Sequence, residues 1–302
     1  MIADHSAIVA RGMGVRRGGR WLLRPVAFGI AEGVVGLAGP PGVGKSTLLA
    51  TFATLRRPHS GRLDILGHDT GDTRGRRAVR ARIGYLPGRF RWSRNMTAEE
   101  LVAYSAYYKR VRAPAARDVM KRFGIADDSR TELALLPPDV RLRAGLAAAC
   151  VHEPELVVLD DPLEELYAGR GAADEAAIAE LIPLIGALAP TVVVSAARPE
   201  RLAPWCRHVL TLARGRLTQY EPRPTAPATV PTMPTVAGGT AHVLAATGAP
   251  PHRDGAPAGA PAGARGRPDR AGPPMFPAFR AALPFRPPRL GAGRPAGSGA
   301  GV

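Results

Sequence analysis

Two cysteines in 302 residues, Cys150 and Cys206, leave no disulfide framework and no cysteine-based metal site. They stand far apart without ligand spacing and read as ordinary thiols of a cytosolic protein. Long apolar runs are scarce as well. The longest, LIPLIGALAPTVVVSAA at 181–197, falls short of the ~20 residues that a bilayer span needs and is broken by Pro183 and Pro190. A helix end, a turn and a buried strand account for it, so no transmembrane segment is expected. The stretch MIADHSAIVARGMG at the start has no basic segment followed by an apolar run, and no signal peptide is expected there. Acidic residues are in the minority: 25 Asp and Glu against 41 Lys and Arg give a formal net charge of +16, almost every base being Arg. Such a charge favours acidic partners, such as nucleic acid or an anionic membrane face, and it follows equally from GC-biased coding. No DNA- or RNA-binding motif accompanies it, so nucleic acid is not expected as a partner.

The apolar and aromatic residues that could build a core lie mainly in residues 1–220. From 221 to 302 the chain is dominated by Pro, Ala, Gly and Arg, a mixture that cannot bury enough apolar area to offset the entropy of ordering. One folded domain over 1–220 and a disordered tail over 221–302 are expected. In the tail, PMFPAFRAALPFRPPRL (274–290) sets Phe276, Phe279 and Phe285 among arginines, which suits a docking motif, a membrane-surface anchor or an unselected linker.

One short stretch carries specific chemistry. GPPGVGKST (39–47) follows the β-branched run GVVGLAG (33–39) and precedes KSTLLATFATL (45–55), whose apolar spacing is helical. A strand, a glycine-rich loop and a helix in that order form a phosphate cradle. Gly39, Pro40, Pro41, Gly42, Val43, Gly44, Lys45, Ser46 and Thr47 make up the loop. Glycines turn backbone N–H groups toward an anion, Lys45 sets a point charge beside the β- and γ-phosphates, and the Ser46 hydroxyl can ligate Mg2+. Downstream, ELVVLDDP (155–162) is a buried strand ending in two carboxylates, and TVVVSAA (191–197) is another strand. HVLTLARGRLTQY (208–220) reads as a hairpin turning at Arg214–Gly215. Residues 95–150 read as helices, one of them opening with Thr97 and Glu100 as a capping pair. Strands that are apolar throughout and alternate with helices imply a mostly parallel sheet covered on both faces.

Taken in order, GPPGVGKST, SGRLDILG, IGYLP, RLRAGLAAACVHEPELVVLDDP and RHVLTLARGRL resemble the nucleotide-binding domain of an ATP-binding cassette (ABC) transporter over residues 7–219. The local style resembles bacterial multidrug and ABC-2-type exporter ATPase subunits. The resemblance implies an α/β P-loop NTPase fold: a RecA-like core, an antiparallel β subdomain, and a helical subdomain inserted over about 89–152. It implies ATP and Mg2+ as cofactors, with Ser46 and Asp160 at the metal, and ATP held between two such domains in a homodimer or heterodimer. It also implies a separate membrane permease as partner, and hence a peripheral location at the inner face of the plasma membrane. Phe90 and Trp92 fall where the family receives the permease's coupling helix; simple packing would explain them equally.

Against the family pattern the binding half is intact and the catalytic half is not. Asp161 stands where the family has a catalytic Glu, one methylene shorter, and is the candidate catalytic residue. Gly88 replaces a Gln that senses Mg2+ and water, and Ala197 replaces the switch His. The signature loop reads LPPDV, in which Pro137 and Pro138 donate no N–H and Asp139 repels a γ-phosphate. Tyr167 stands at the D-loop aspartate. The position whose aromatic stacks on adenine falls near Arg17, with Trp21 close by. Two functions are compatible with this pattern: a transporter's ATP-binding subunit with weak hydrolysis, or a pseudo-ATPase that binds nucleotide as a regulator or scaffold.

Overall fold

The structure, a computed structural model, describes residues 6–88, 95–169 and 171–221. Phe90, Trp92 and the tail segment with Phe276, Phe279 and Phe285 lie outside these residues.

Two sheets organise the domain. β1 (Ile8–Arg17), β2 (Arg20–Ile30), β4 (Ser60–Ile65) and β5 (His68–Asp69) form an antiparallel sheet in the order β2-β1-β4-β5. The second sheet has six strands, ordered β10-β9-β3-β8-β7-β6. In it, β6 (Ile83–Leu86), β7 (Leu156–Leu159), β8 (Thr191–Ala196), β3 (Gly33–Ala38) and β9 (His208–Ala213) run parallel. Only β10 (Arg216–Gln219) is antiparallel, returning from β9 through the Arg214–Gly215 turn. The α/β fold expected from the sequence is thus the one observed, with an antiparallel sheet beside the parallel one.

Strand residues alternate between two apolar cores. Leu156 and Val158 of β7 and Val193 of β8 point to the core shared with the antiparallel sheet and α1 (Lys45–Phe52). Val157, Leu159, Val192 and Val194 point to the opposite core. That core is completed by α3 (Ala98–Lys109), α4 (Ala113–Arg122), α5 (Pro138–Cys150) and α7 (Ala172–Gly186). Burial on both faces explains why β7 is apolar at every position and why β8 is apolar over Val192, Val193 and Val194. α7 carries Pro183 inside its last turn, and Pro190 precedes β8, so the long apolar run divides into helix, turn and strand.

Local chemistry sets the helix starts. Thr97 accepts from the Glu100 N–H at 3.1 Å while Glu100 accepts from the Thr97 N–H at 3.0 Å, the reciprocal cap read from the sequence. α2 (Thr73–Arg82), with five arginines in ten residues and only Gly75 and Val79 buried, begins where the Asp72 carboxylate accepts from the Gly75 N–H at 2.6 Å. Lys109, at the end of α3, donates to the carbonyls of Arg80 at 2.6 Å and Ile83 at 2.9 Å and contacts His152 Nε2 at 3.0 Å. It joins the end of α2 and the start of β6 to the helical layer. Among the described residues, no helix is long and apolar enough to cross a membrane.

Candidate functional site

The glycine loop leaves the C-terminal end of β3, in the middle of the parallel sheet, and enters α1. Its base is fastened by the Gly39 N–H to the Ala196 carbonyl at 3.2 Å, and its turn is closed by the Val43 N–H to the Pro40 carbonyl at 3.3 Å. Gly44 is the N-cap of α1 with φ 117°, a conformation that disfavours any side chain, and a Cβ there would sit 3.0 Å from Leu22 Cβ. Since Gly44 has no side chain to cap the helix, the first-turn N–H groups of α1 receive no side-chain cap and can serve an anion. Lys45 is buried and donates to the Gly39 carbonyl at 2.8 Å, while Pro40, Pro41, Gly42 and Ser46 are exposed along the loop's outer side. Val43, Gly44 and Thr47 pack beneath them, Thr47 being buried.

β7 delivers two carboxylates beside this loop. Asp160 is buried, and its N–H donates to the Leu86 carbonyl at 3.0 Å. Burial, aided by the charge of Asp161, raises its pKa above the ordinary carboxylate value, opposed by hydrogen bonds from Ser46 and Ser195 and by the charge of Lys45. Asp161 takes a left-handed backbone conformation, φ 46°, which turns its carboxylate so that Oδ2 lies 3.4 Å from Lys45 Nζ. Ser195, buried on the adjoining β8, fixes both acids: its Oγ lies 3.1 Å from Asp160 Oδ1 and 3.2 Å from Asp161 Oδ1, and accepts the Asp161 N–H at 2.9 Å. The single hydroxyl hydrogen can serve only one of the two carboxylates at a time.

The loop, Asp160 and Asp161 are therefore brought together at one end of the parallel sheet. A buried carboxylate hydrogen-bonded to the Ser46 hydroxyl is a hard-oxygen donor pair that fits Mg2+, an ion usually held by one or two carboxylates together with substrate phosphates. Among the described residues no group of three or more His, Cys, Asp or Glu side chains could hold a metal without such phosphates.

At the substituted positions the structure places the following groups. A Cβ at Gly88 would stand 2.7 Å from the Asp160 carbonyl oxygen, so a side chain there forces one of the two backbones to shift. Beside it opens a cleft of about 310 Å³ lined by Gly88, Asp160, Asp161, Pro138, Arg141 and Glu165, among others. α5 opens on that cleft with Pro137 as N-cap and Pro138 as its first residue, and Asp139 follows in the first turn. Arg141 of that helix pairs with Glu165 and donates to the Leu136 carbonyl at 3.1 Å. Ala197 follows the end of β8 with only a methyl group. Tyr167, on α6 (Glu164–Gly169), lies under the Arg201 guanidinium, 4.2 Å from carbon to ring centroid. Near the expected adenine position, Arg17 pairs with Arg20 at the end of the β1–β2 ladder, and Trp21 is covered by the Arg16 guanidinium at 3.8 Å.

Ser195 and Arg201 escaped the sequence reading. The signal for Ser195 was there: a lone hydroxyl in the otherwise apolar run VVVSAA. Arg201 lies in one of many arginine-bearing segments, and no spacing singles it out.

With this geometry in hand, the comparisons with known proteins agree. The ABC transporter family model matches residues 23–164. The phosphonates import ATP-binding protein PhnC of Pseudomonas putida is 32% identical over 181 residues, covering 55% of this chain and 67% of that protein. PhnC of Anaeromyxobacter dehalogenans is 33% identical over 236 residues, 73% of this chain and 46% of that protein. The daunorubicin resistance ATP-binding protein DrrA3 of Streptomyces coeruleorubidus is 33% identical over 174 residues, 56% of this chain and 54% of that protein. The chain thus spans about half the length of the last two. Among solved structures, cbiO1 of Clostridium perfringens, described as part of the ABC transporter complex cbiONQ, aligns with TM-score 0.60 at 21% identity, covering 71% of this chain and 88% of that one. At that identity the likeness concerns the fold. The chain belongs to the family of ABC transporter ATP-binding proteins.

Proposed function

We propose that this chain is the ATP-binding subunit of an ABC transporter, that it binds Mg·ATP at the Gly39–Thr47 loop, and that it hydrolyses ATP weakly. The observation that carries the reading is the convergence of Lys45, Ser46 and Asp160 at the end of the glycine loop. In this reading the loop N–H groups and Lys45 hold the phosphates, and Ser46 with Asp160 holds the magnesium ion, which neutralises charge on the phosphate oxygens. Asp161 is the residue available to take a proton from the attacking water. It must first leave Lys45, and it then works without a glutamine at 88 or a histidine at 197. Loss of one charge-stabilising contact of this kind typically slows a reaction by about 10²–10³-fold, and losses acting on one transition state do not simply multiply.

The partners of this reading are a membrane permease and a second nucleotide-binding domain, in a homodimer or heterodimer, which together keep the chain at the inner face of the plasma membrane. The proline-led start of α5 favours weak turnover in any self-paired dimer, because Pro137 and Pro138 have no N–H to offer a partner's phosphate and Asp139 adds negative charge. The same feature supports the alternative of a pseudo-ATPase, a nucleotide-binding regulator or scaffold. Steady-state hydrolysis by the purified chain, with and without the permease from a neighbouring gene, separates the two. Turnover above that of Lys45→Ala eliminates the pseudo-ATPase; ATP binding with no turnover in either condition eliminates catalysis.

A further inference from the structure

Among the described residues, no carboxylate pairs with the Arg201 guanidinium, whose one contact is the Tyr167 ring. Its backbone, by contrast, is firmly placed. Pro199 opens the single turn of 3-10 helix that ends at Arg201. The next residue, Leu202, is buried so closely on β3 that a Cβ at Gly36 would lie 2.9 Å from it. The Trp205 indole N–H donates to the Arg201 carbonyl at 2.8 Å. A cation with a fixed backbone and a side chain held only by a ring is poised to exchange that ring for a stronger acceptor.

The acceptor is indicated by what shares the space. A cavity of about 20 Å³ is lined by Arg201, Tyr167, Ala197, Ser195 and Asp161. Asp161 also meets Lys45 at 3.4 Å, so the acid that lines the cavity with Arg201 is the one paired with the loop lysine. A phosphate arriving at Lys45 competes with Asp161 and adds negative charge beside it. Lys45 and the magnesium ion of Mg·ATP offset part of this charge, and a cation on the Asp161 side of the phosphate offsets more. We propose that Arg201 is that cation: it binds the terminal phosphate of ATP in the place left by Ala197, and so lets the site distinguish ATP from ADP. This rests on the reading that ATP binds at the glycine loop.

The test is calorimetric titration of the full chain with Mg2+ plus either a non-hydrolysable ATP analogue or ADP, together with a melting curve for each variant. Arg201→Gln is expected to weaken the analogue by about ten-fold or more, the effect of one charge-assisted hydrogen bond, and to change ADP by less than about two-fold. Arg201→Lys, which keeps the charge and loses the planar fork, is expected to fall between. Equal losses for both nucleotides, or no loss for the analogue, overturn the proposal. Should Arg201→Gln fail to fold, an unchanged analogue-to-ADP ratio in Arg201→Lys overturns it instead. Lys45→Ala is the control: if it binds the analogue as well as the parent does, the loop is not the ATP site and the underlying reading fails. If Lys45→Ala weakens binding and Arg201→Gln does not, only the role of Arg201 fails.

Discussion

Restoring the family's glutamine by Gly88→Gln should impair this protein rather than repair it. The added Cβ would lie 2.7 Å from the Asp160 carbonyl oxygen, 3.5 Å from its carbonyl carbon and 3.6 Å from Cγ. Ordinary contact begins near 3.4 Å, so one backbone must retreat by roughly 0.7 Å. The Asp160 side resists this: its N–H is bonded to the Leu86 carbonyl across the β6–β7 pairing, and its carboxylate is bonded to Ser46 and Ser195. Forcing atoms into a packed site costs about 1–3 kcal/mol. For a domain of this size each kcal/mol lowers the melting temperature by about 2–4 °C, so a fall of roughly 2–12 °C is expected. Displacing Asp160 should also weaken Mg·ATP binding, and turnover should not rise. Gly88→Ala adds the same Cβ without the amide and should lose a similar amount of stability, which assigns the cost to the Cβ. Thermal melting without nucleotide and steady-state turnover measure both effects. A Gly88→Gln variant that melts with the parent and hydrolyses ATP faster would refute the reasoning.

Two further outcomes follow from buried polar groups. Ser195→Ala leaves the Asp161 N–H and an Asp160 carboxylate oxygen short of a partner, at a cost of about 1–3 kcal/mol in thermal or urea unfolding, and should raise the Mg2+ concentration needed for ATP binding; Ser195→Thr, which keeps a hydroxyl, should lose less. His152 is pushed down to about 4 by burial and by the charge of Lys109, with its Nδ1 buried and unbonded. The unfolded chain therefore takes up a proton near the ordinary value of 6.5, whereas the folded one does so only near 4. Stability falls as pH drops through that window, and urea melts of His152→Gln between pH 7 and 4 should lose this slope.

The legible parts of the site were those whose chemistry is local in sequence. Strand, glycine loop and helix are contiguous from Gly33 to Phe52, and the Thr97–Glu100 cap spans three residues, so spacing alone identifies them. α2 went unread because an arginine-rich helix that buries only Gly75 and Val79 has no apolar period. What Ser195 does depends on β8 lying beside β7, 34 residues away in sequence from Asp161. The left-handed turn that aims Asp161 at Lys45 violates the ordinary preference of an aspartate, and no spacing announces it. Likewise, the reason for Gly88 is the approach of the Asp160 backbone, a tertiary fact invisible in IGYLPG. The loss of a glutamine is legible in the sequence; the structure adds that the Asp160 carbonyl stands against the place of its Cβ.

The central claim is that Lys45 and Asp160 form a magnesium-dependent ATP site. Calorimetric titration of the full chain with ATP, with and without Mg2+, measures it most directly, alongside Lys45→Ala and Asp160→Asn. The account predicts a dissociation constant on the order of micromolar with Mg2+, weakened by about ten-fold or more in each variant, and little dependence on Mg2+ remaining in Asp160→Asn. Equal affinity in the parent and Lys45→Ala, or no binding by the parent at millimolar ATP, would contradict it.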